Sequence, residues 1–278
     1  MIRKNNTPHI FKDDSWKKDI MFVVMALSSF AMVGAAYMDE YMESGQTVTI
    51  IWKLVMSYGL ITFVRANVTT PYVAPTLNAT ERSKPSLQLL LGLLLALGPC
   101  VLNLLQSVVS AEGWNGWIGW KAIAYAVAVA LLTAIWEELF YRKIGFFLLE
   151  EKGKLTLGGM MFLAAVFSAA HVVNFFFYPP LDVLLQIVQS FAFGIFAMGL
   201  YMCTGSVVSC IVSHFLANLP AWYFQYAPDE AVKLFPGMGD VAIIGLTMYC
   251  LMAGSVMAGI SGKLVLSEEN DSTSEEIV

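Results

Sequence analysis

Residues 122–142 read AIAYAVAVALLTAIWEELFYR, an apolar run of bilayer length that closes on two consecutive carboxylates and an arginine. A helix needs about 20 such residues to cross roughly 30 Å of hydrocarbon. An ionised side chain at mid-bilayer costs about 2.5–3.5 kcal/mol on insertion scales, so Glu137 and Glu138 need a physical reason to sit where they do. Seven more stretches of similar character flank this one, at 20–38, 48–64, 87–110, 155–177, 181–202, 206–224 and 241–264. The fold expected is therefore all-α, a polytopic membrane helical bundle of about eight transmembrane helices. Hydrophobic residues make up 58% and charged residues 13% of the 278, against roughly 25% charged in an ordinary soluble domain. That excludes a water-soluble enzyme.

Charge patterning orients the chain. Of the 16 Lys and Arg, all but Lys53, Lys121 and Lys233 fall on one side if the N-terminus is cytoplasmic. The positive-inside rule then puts both termini in the cytoplasm, with Lys53 and Lys121 near outer ends of spans. The organisation expected is a cytoplasmic segment over 1–19, a single transmembrane domain over 20–264 with its catalytic core at 122–218, and an acidic disordered tail over 265–278. A net charge of −5 offers no basic surface for nucleic acid. Cys100, Cys203, Cys210 and Cys250 form no C-x-x-C pair and read as helix-packing residues.

Helical spacing sorts the intramembrane polar residues into faces. Glu138 and Arg142 are i, i+4 and can pair; Glu137 lies about 100° further round and can point elsewhere. Phe167 and His171 share a face of the next span, and His214 and Asn218 share a face two spans later. Three helices thus each present a short polar ledge, expected to meet around one wet cavity. One depth conflicts with this. His171 lies about 24 Å along the helix from Leu155, too deep if Leu155 marks the membrane surface. The conflict goes away if IGFFLLEEKGK (144–154) projects from the bilayer or lies along its surface, and both alternatives stay open.

Glu137-Glu138-x-x-x-Arg142, Phe167-x-x-x-His171 and His214-x-x-x-Asn218, in that order on membrane spans, resemble the CPBP family of intramembrane glutamic endopeptidases, which includes type II CAAX prenyl proteases and bacterial relatives linked to bacteriocin self-immunity, often labelled ABI proteins. Lys143 departs from the pattern, since many relatives have Gly there, a departure that bears on local helix geometry rather than on the chemistry. The resemblance implies peptide-bond hydrolysis without a metal or other cofactor, in a multi-pass protein of a bacterial cell membrane. Its implied partners are membrane lipid and a peptide or lipidated-protein substrate. It also implies roles: Glu137 as the base that activates water, assisted by His171; His214 and Asn218 as donors to the oxyanion; Glu138 with Arg142 holding the first carboxylate; Phe167 packing against the ledge.

Amide hydrolysis needs a base for water, an acid for the leaving amine and donors for the developing oxyanion, and these residue types can supply all three. Other uses of the same residues stay open. Two His and a Glu could ligate zinc, although no H-E-x-x-H is present. An ion-coupled transporter could use them as a proton relay. A non-catalytic scaffold or immunity protein could keep the site without using it.

Overall fold

The computed structural model describes residues 23, 27, 31, 34–39, 41, 42, 47–67, 90, 94–102, 104, 120–149, 155–225, 239–262, 264 and 265. Apolar runs become helices because every backbone N–H and C=O must find a partner without water. In chain order these are α1 (Thr47–Asn67), α2 (Trp120–Glu137), a π-helical turn (Glu138–Ile144), α3 (Gly145–Leu149), α4 (Leu157–Ala169), a 3-10 turn (Ala170–Phe176), α5 (Pro180–Thr204), α6 (Val207–Gln225) and α7 (Gly239–Ile260). Two short strands, β1 (Leu155–Thr156) and β2 (Leu264–Val265), pair in parallel and tie the end of α7 to the start of α4.

Among the described residues, five helical segments are long and apolar enough to cross a membrane: Thr47–Arg65, Ile123–Leu149, Leu157–Phe176, Pro180–Thr204 and Ile243–Ile260. Each falls on an expected span. The stretch expected at 206–224 forms the shorter apolar helix Val207–Trp222. The spans expected at 20–38 and 87–110 lie largely outside the described residues, with helix at 34–39 and 94–102. The chain is thus an all-α, polytopic membrane protein. Ile123–Leu149 has 27 residues, about 40 Å at the helical rise, some 10 Å more than the hydrocarbon needs. Residues 144–149 of IGFFLLEEKGK continue that helix, and residues 150–154 lie outside the described residues.

Local chemistry sets the helix ends. Asp39 accepts the N–H groups of Val48 (2.7 Å) and Thr49 (2.7 Å), capping α1 with a buried carboxylate. Thr156 caps α4 by accepting the Gly159 N–H at 3.0 Å. Gly205, at φ 67°, donates its N–H to the Tyr201 carbonyl at 2.7 Å and ends α5 in the left-handed conformation that glycine adopts without strain.

Helices α5 and α7 make the closest packing. Gly199 and Gly254 face each other with backbone in contact, the close approach that small residues permit between membrane helices. A Cβ on Gly254 would lie 2.6 Å from the Phe196 Cα and 2.7 Å from the Ile195 carbonyl oxygen. Those are backbone atoms and cannot swing aside. Gly254→Ala is therefore expected to destabilise the bundle by about 1–3 kcal/mol, read as a lower unfolding midpoint in detergent. The cysteines are free thiols, with Cys203, Cys210 and Cys250 buried; Cys210 donates to the Ala197 carbonyl at 3.5 Å, a helix-packing contact.

Among the described residues two apolar cores result. One joins α3, α4, α5 and α7 around Phe146, Phe196, Met198 and Tyr201. The other surrounds the π-helical turn with Trp136, Phe140, Tyr141, Ile144, Phe167 and Leu60. The polar residues sit where α2, α4, α5 and α6 meet the second core.

Candidate active site

The ledge on α2 does not continue as plain α-helix. Glu137 is the last α-helical residue, and Glu138–Ile144 is a π-helical turn. Such turns are rare and recur at functional sites, because the widened hydrogen-bond ring rotates side chains relative to the preceding helix. Lys143, the position departing from the family pattern, lies in this turn with its ammonium 4.9 Å from the Phe147 ring centroid. The turn buries Glu138 and Arg142 at 0% and 1% side-chain exposure, and Arg142 Nε stands 3.2 Å from Glu138 Oε2. The N–H is not aligned on that oxygen, so this is an ion contact rather than a hydrogen bond. The guanidinium lies over the Phe167 ring at 4.3 Å, within cation–π range.

The other carboxylate oxygen of Glu138 accepts from His214 Nδ1 at 2.6 Å, a short contact of the charge-assisted kind. The opposite ring nitrogen, Nε2, lies 3.7 Å from Glu137 Oε2. One imidazole on α6 therefore spans the two adjacent carboxylates of α2 and the π-helical turn. Glu138 bears on His214 directly, where the family pattern gives it the task of holding the first carboxylate. The ring of His214 is packed by Phe193 of α5, with centroids 4.7 Å apart, and by Phe167, at 6.1 Å. Asn218, one turn further along α6, is half-buried, and its side chain makes no hydrogen bond among the described residues.

His171 is placed by a change of helix type. Helix α4 tightens into the 3-10 turn at Ala170, and His171 Nδ1 donates to the Phe167 carbonyl at 3.1 Å. That leaves Nε2 with its lone pair. Both Glu137 and His214 are close enough to interact electrostatically with the ring. The turn is pinned to α5 by Ser168, which donates to the Ile187 carbonyl at 2.6 Å, and by Asn174, which donates to Gln186 Oε1 at 2.7 Å. Phe167 is the hub: its ring meets those of Tyr141, His171, Phe193 and His214 and carries the Arg142 guanidinium.

The structure therefore gathers Glu137, Glu138, Arg142, Phe167, His171 and His214 around one point, with Asn218 a turn away. Three neighbours have no sequence motif of their own: Phe193, Thr133 and Lys53. Lys53 is 4% exposed, a buried residue in the first half of α1. Its α1 pattern held one signal, a lysine inside an apolar run. Phe193 gave none, being one aromatic among many in α5. Among the described residues, no three His, Cys, Asp or Glu side chains are grouped to hold a metal ion.

Comparison with known proteins gives a match to one family model. No curated protein and no solved structure matches the chain. Residues 119–220, which contain every one of the seven ledge residues, match the Rce1-like family of type II CAAX prenyl endopeptidases, and the family resemblance carried by the three motifs holds over that segment.

Proposed function

We propose that this protein is a membrane-embedded glutamic endopeptidase that hydrolyses a peptide bond of a membrane-associated peptide or protein without a metal ion. The observation that carries it is the His214 ring set between Glu137 (3.7 Å) and Glu138 (2.6 Å), a base, a hydrogen-bonding imidazole and a buried orienting carboxylate in one cluster. Glu137 takes the proton from water, and His171, its Nε2 lone pair free, shares that water. The proton goes on to the leaving amine as the tetrahedral intermediate collapses.

Glu138 holds His214 with its Nδ1–H. In the neutral ring Nε2 is then an acceptor, and it donates to an oxyanion only when the ring carries both protons. Glu138 fixes the ring through its Nδ1 contact, and Arg142, 3.2 Å from the other oxygen of that carboxylate, fixes Glu138. Asn218 Nδ2 is the second donor. Because the Asn218 side chain makes no hydrogen bond among the described residues, Asn218→Ala is expected to lower turnover by about 10²- to 10³-fold while leaving the thermal midpoint in detergent unchanged. A fall in both together would assign Asn218 to packing.

The positive-inside pattern supports cytoplasmic termini. The test is reconstitution in detergent with matched prenylated and unprenylated peptides, comparing the parent with Glu137→Gln in the presence and absence of a strong chelator. Cleavage by the parent that survives chelation supports the proposal. Cleavage that stops on chelation and returns with zinc overturns metal independence. No cleavage of either peptide set overturns the proteolytic function.

A further inference from the structure

Lys53 is the buried charge that the hydrolytic cluster leaves over. Among the described residues the buried charged side chains are Asp39, Lys53, Glu137, Glu138 and Arg142. Asp39 is spent on the N-terminus of α1. The other four are two acids and two bases. Arg142 is in contact with Glu138, which leaves Lys53 and Glu137.

The geometry brings these two to the same seam. The Lys53 ammonium donates to the Thr133 hydroxyl, and Thr133 in turn donates to the Val129 carbonyl at 2.7 Å, so its lone pairs are turned toward the lysine. Thr133 lies one turn before Glu137 on α2, about 6 Å along the axis and on the same face. Ser57, one turn after Lys53, is within 3.5 Å of the Leu132 carbonyl and keeps that face of α1 against α2. The Trp222 ring closes the far side, its centroid 5.8 Å from the ammonium. Trp222 follows His214 and Asn218 at successive i+4 positions on α6. The Glu137 carboxylate acts electrostatically on Lys53.

A lysine in an apolar bundle whose hydrogen-bond partner is a neutral hydroxyl is costly unless its charge is answered. Glu137 has the same difficulty, since its close neighbour is an imidazole already held by Glu138. We infer that Lys53 is a positioning residue for the hydrolytic reaction, the counter-charge that holds the Glu137 carboxylate aimed at its water. The inference rests on Glu137 being the working base. Lys53 acts through Glu137 and touches no reacting atom, so its loss falls on the chemical step and spares substrate binding.

The experiment compares the full-length parent with Lys53→Met, Lys53→Arg and Thr133→Val in detergent, measuring kcat, KM and the unfolding midpoint on a peptide the parent cleaves. The expected result for Lys53→Met is a kcat at least about tenfold lower, the factor that corresponds to about 1.4 kcal/mol, with KM within about twofold. Removing one partner leaves the buried Glu137 charge unanswered, so the unfolding midpoint falls, and kcat is compared on the folded protein. Lys53→Arg, which keeps the charge, restores kcat to within about threefold of the parent. Thr133→Val, which frees the ammonium but keeps it, lies between the two.

Lys53→Met with kcat within twofold of the parent overturns the inference. So does Lys53→Arg as impaired as Lys53→Met, which would mean shape and not charge. A raised KM at unchanged kcat would make Lys53 a substrate-binding residue and also overturns it. Should Lys53→Met fail to fold, Lys53→Arg and Thr133→Val decide by the same kcat comparison. A parent that cleaves no peptide overturns the proteolytic reading itself, and this role with it; a parent that cleaves beside an unimpaired Lys53→Met overturns the role alone.

Discussion

Glu137→Gln is expected to lower peptide hydrolysis by about 10²- to 10⁴-fold, the range that a positioned general base contributes, with no loss of folded protein. The amide is isosteric with the carboxylate and can keep a polar contact with His214 Nε2, now 3.7 Å from Glu137 Oε2. What it cannot do is take a proton from water. The separation of activity from stability is the point of the substitution, because Glu137 is at the rim of the buried cluster, its side chain 12% exposed, while Glu138 is at 0%. Steady-state cleavage of a reconstituted peptide checks the first half and a thermal melt in the same detergent checks the second. Retention of a tenth or more of parental activity would remove Glu137 from the role of base.

Arg142→Met is expected to have the largest effect on folding. Its guanidinium is 1% exposed, lies 3.2 Å from the Glu138 carboxylate and stacks over Phe167 at 4.3 Å. Removing one partner of a buried ion pair costs about 3–5 kcal/mol, because the other charge stays in a low-dielectric interior. Glu138 would keep only His214 as a partner, and the Phe167 hub would lose the cation on its face. Replacing both charges, in Glu138→Gln with Arg142→Met, is expected to cost less than the sum of the two single changes, since no uncompensated charge is then left behind. Unfolding midpoints of the four proteins form the cycle. Arg142→Met within 1 kcal/mol of the parent would show that the pair is not a unit.

The membrane spans were legible because a long apolar run has few other uses. Ile123–Leu149, Leu157–Phe176 and Pro180–Thr204 fall where 122–141, 155–177 and 181–202 were expected. The end of the first differs most: it runs on through the π-helical turn to Leu149, and hydropathy has no marker for a turn that changes hydrogen-bond register without changing composition. Lys143 at a position where relatives carry Gly was the one hint of altered local geometry there. The shared faces of Glu138 with Arg142 and of Phe167 with His171 were legible for a simpler reason. Residues four apart on any helix are neighbours, whatever the helix packs against. The pairing of Arg142 with Glu138 and the ring contact of Phe167 with His171 need nothing beyond that spacing.

By itself, the amino-acid sequence determined which segments are helices in a membrane and which polar side chains share a helix face, both consequences of local spacing and of the cost of bare backbone in hydrocarbon. Only the tertiary structure decided that His214 reaches across to both Glu137 and Glu138, that Phe193 packs on its ring, and that Lys53 lies against Thr133. In water a helix advertises its buried face by being apolar on one side. In lipid all sides are apolar, so hydropathy does not say which face meets which neighbour, and those contacts follow from close packing between helices far apart in the chain.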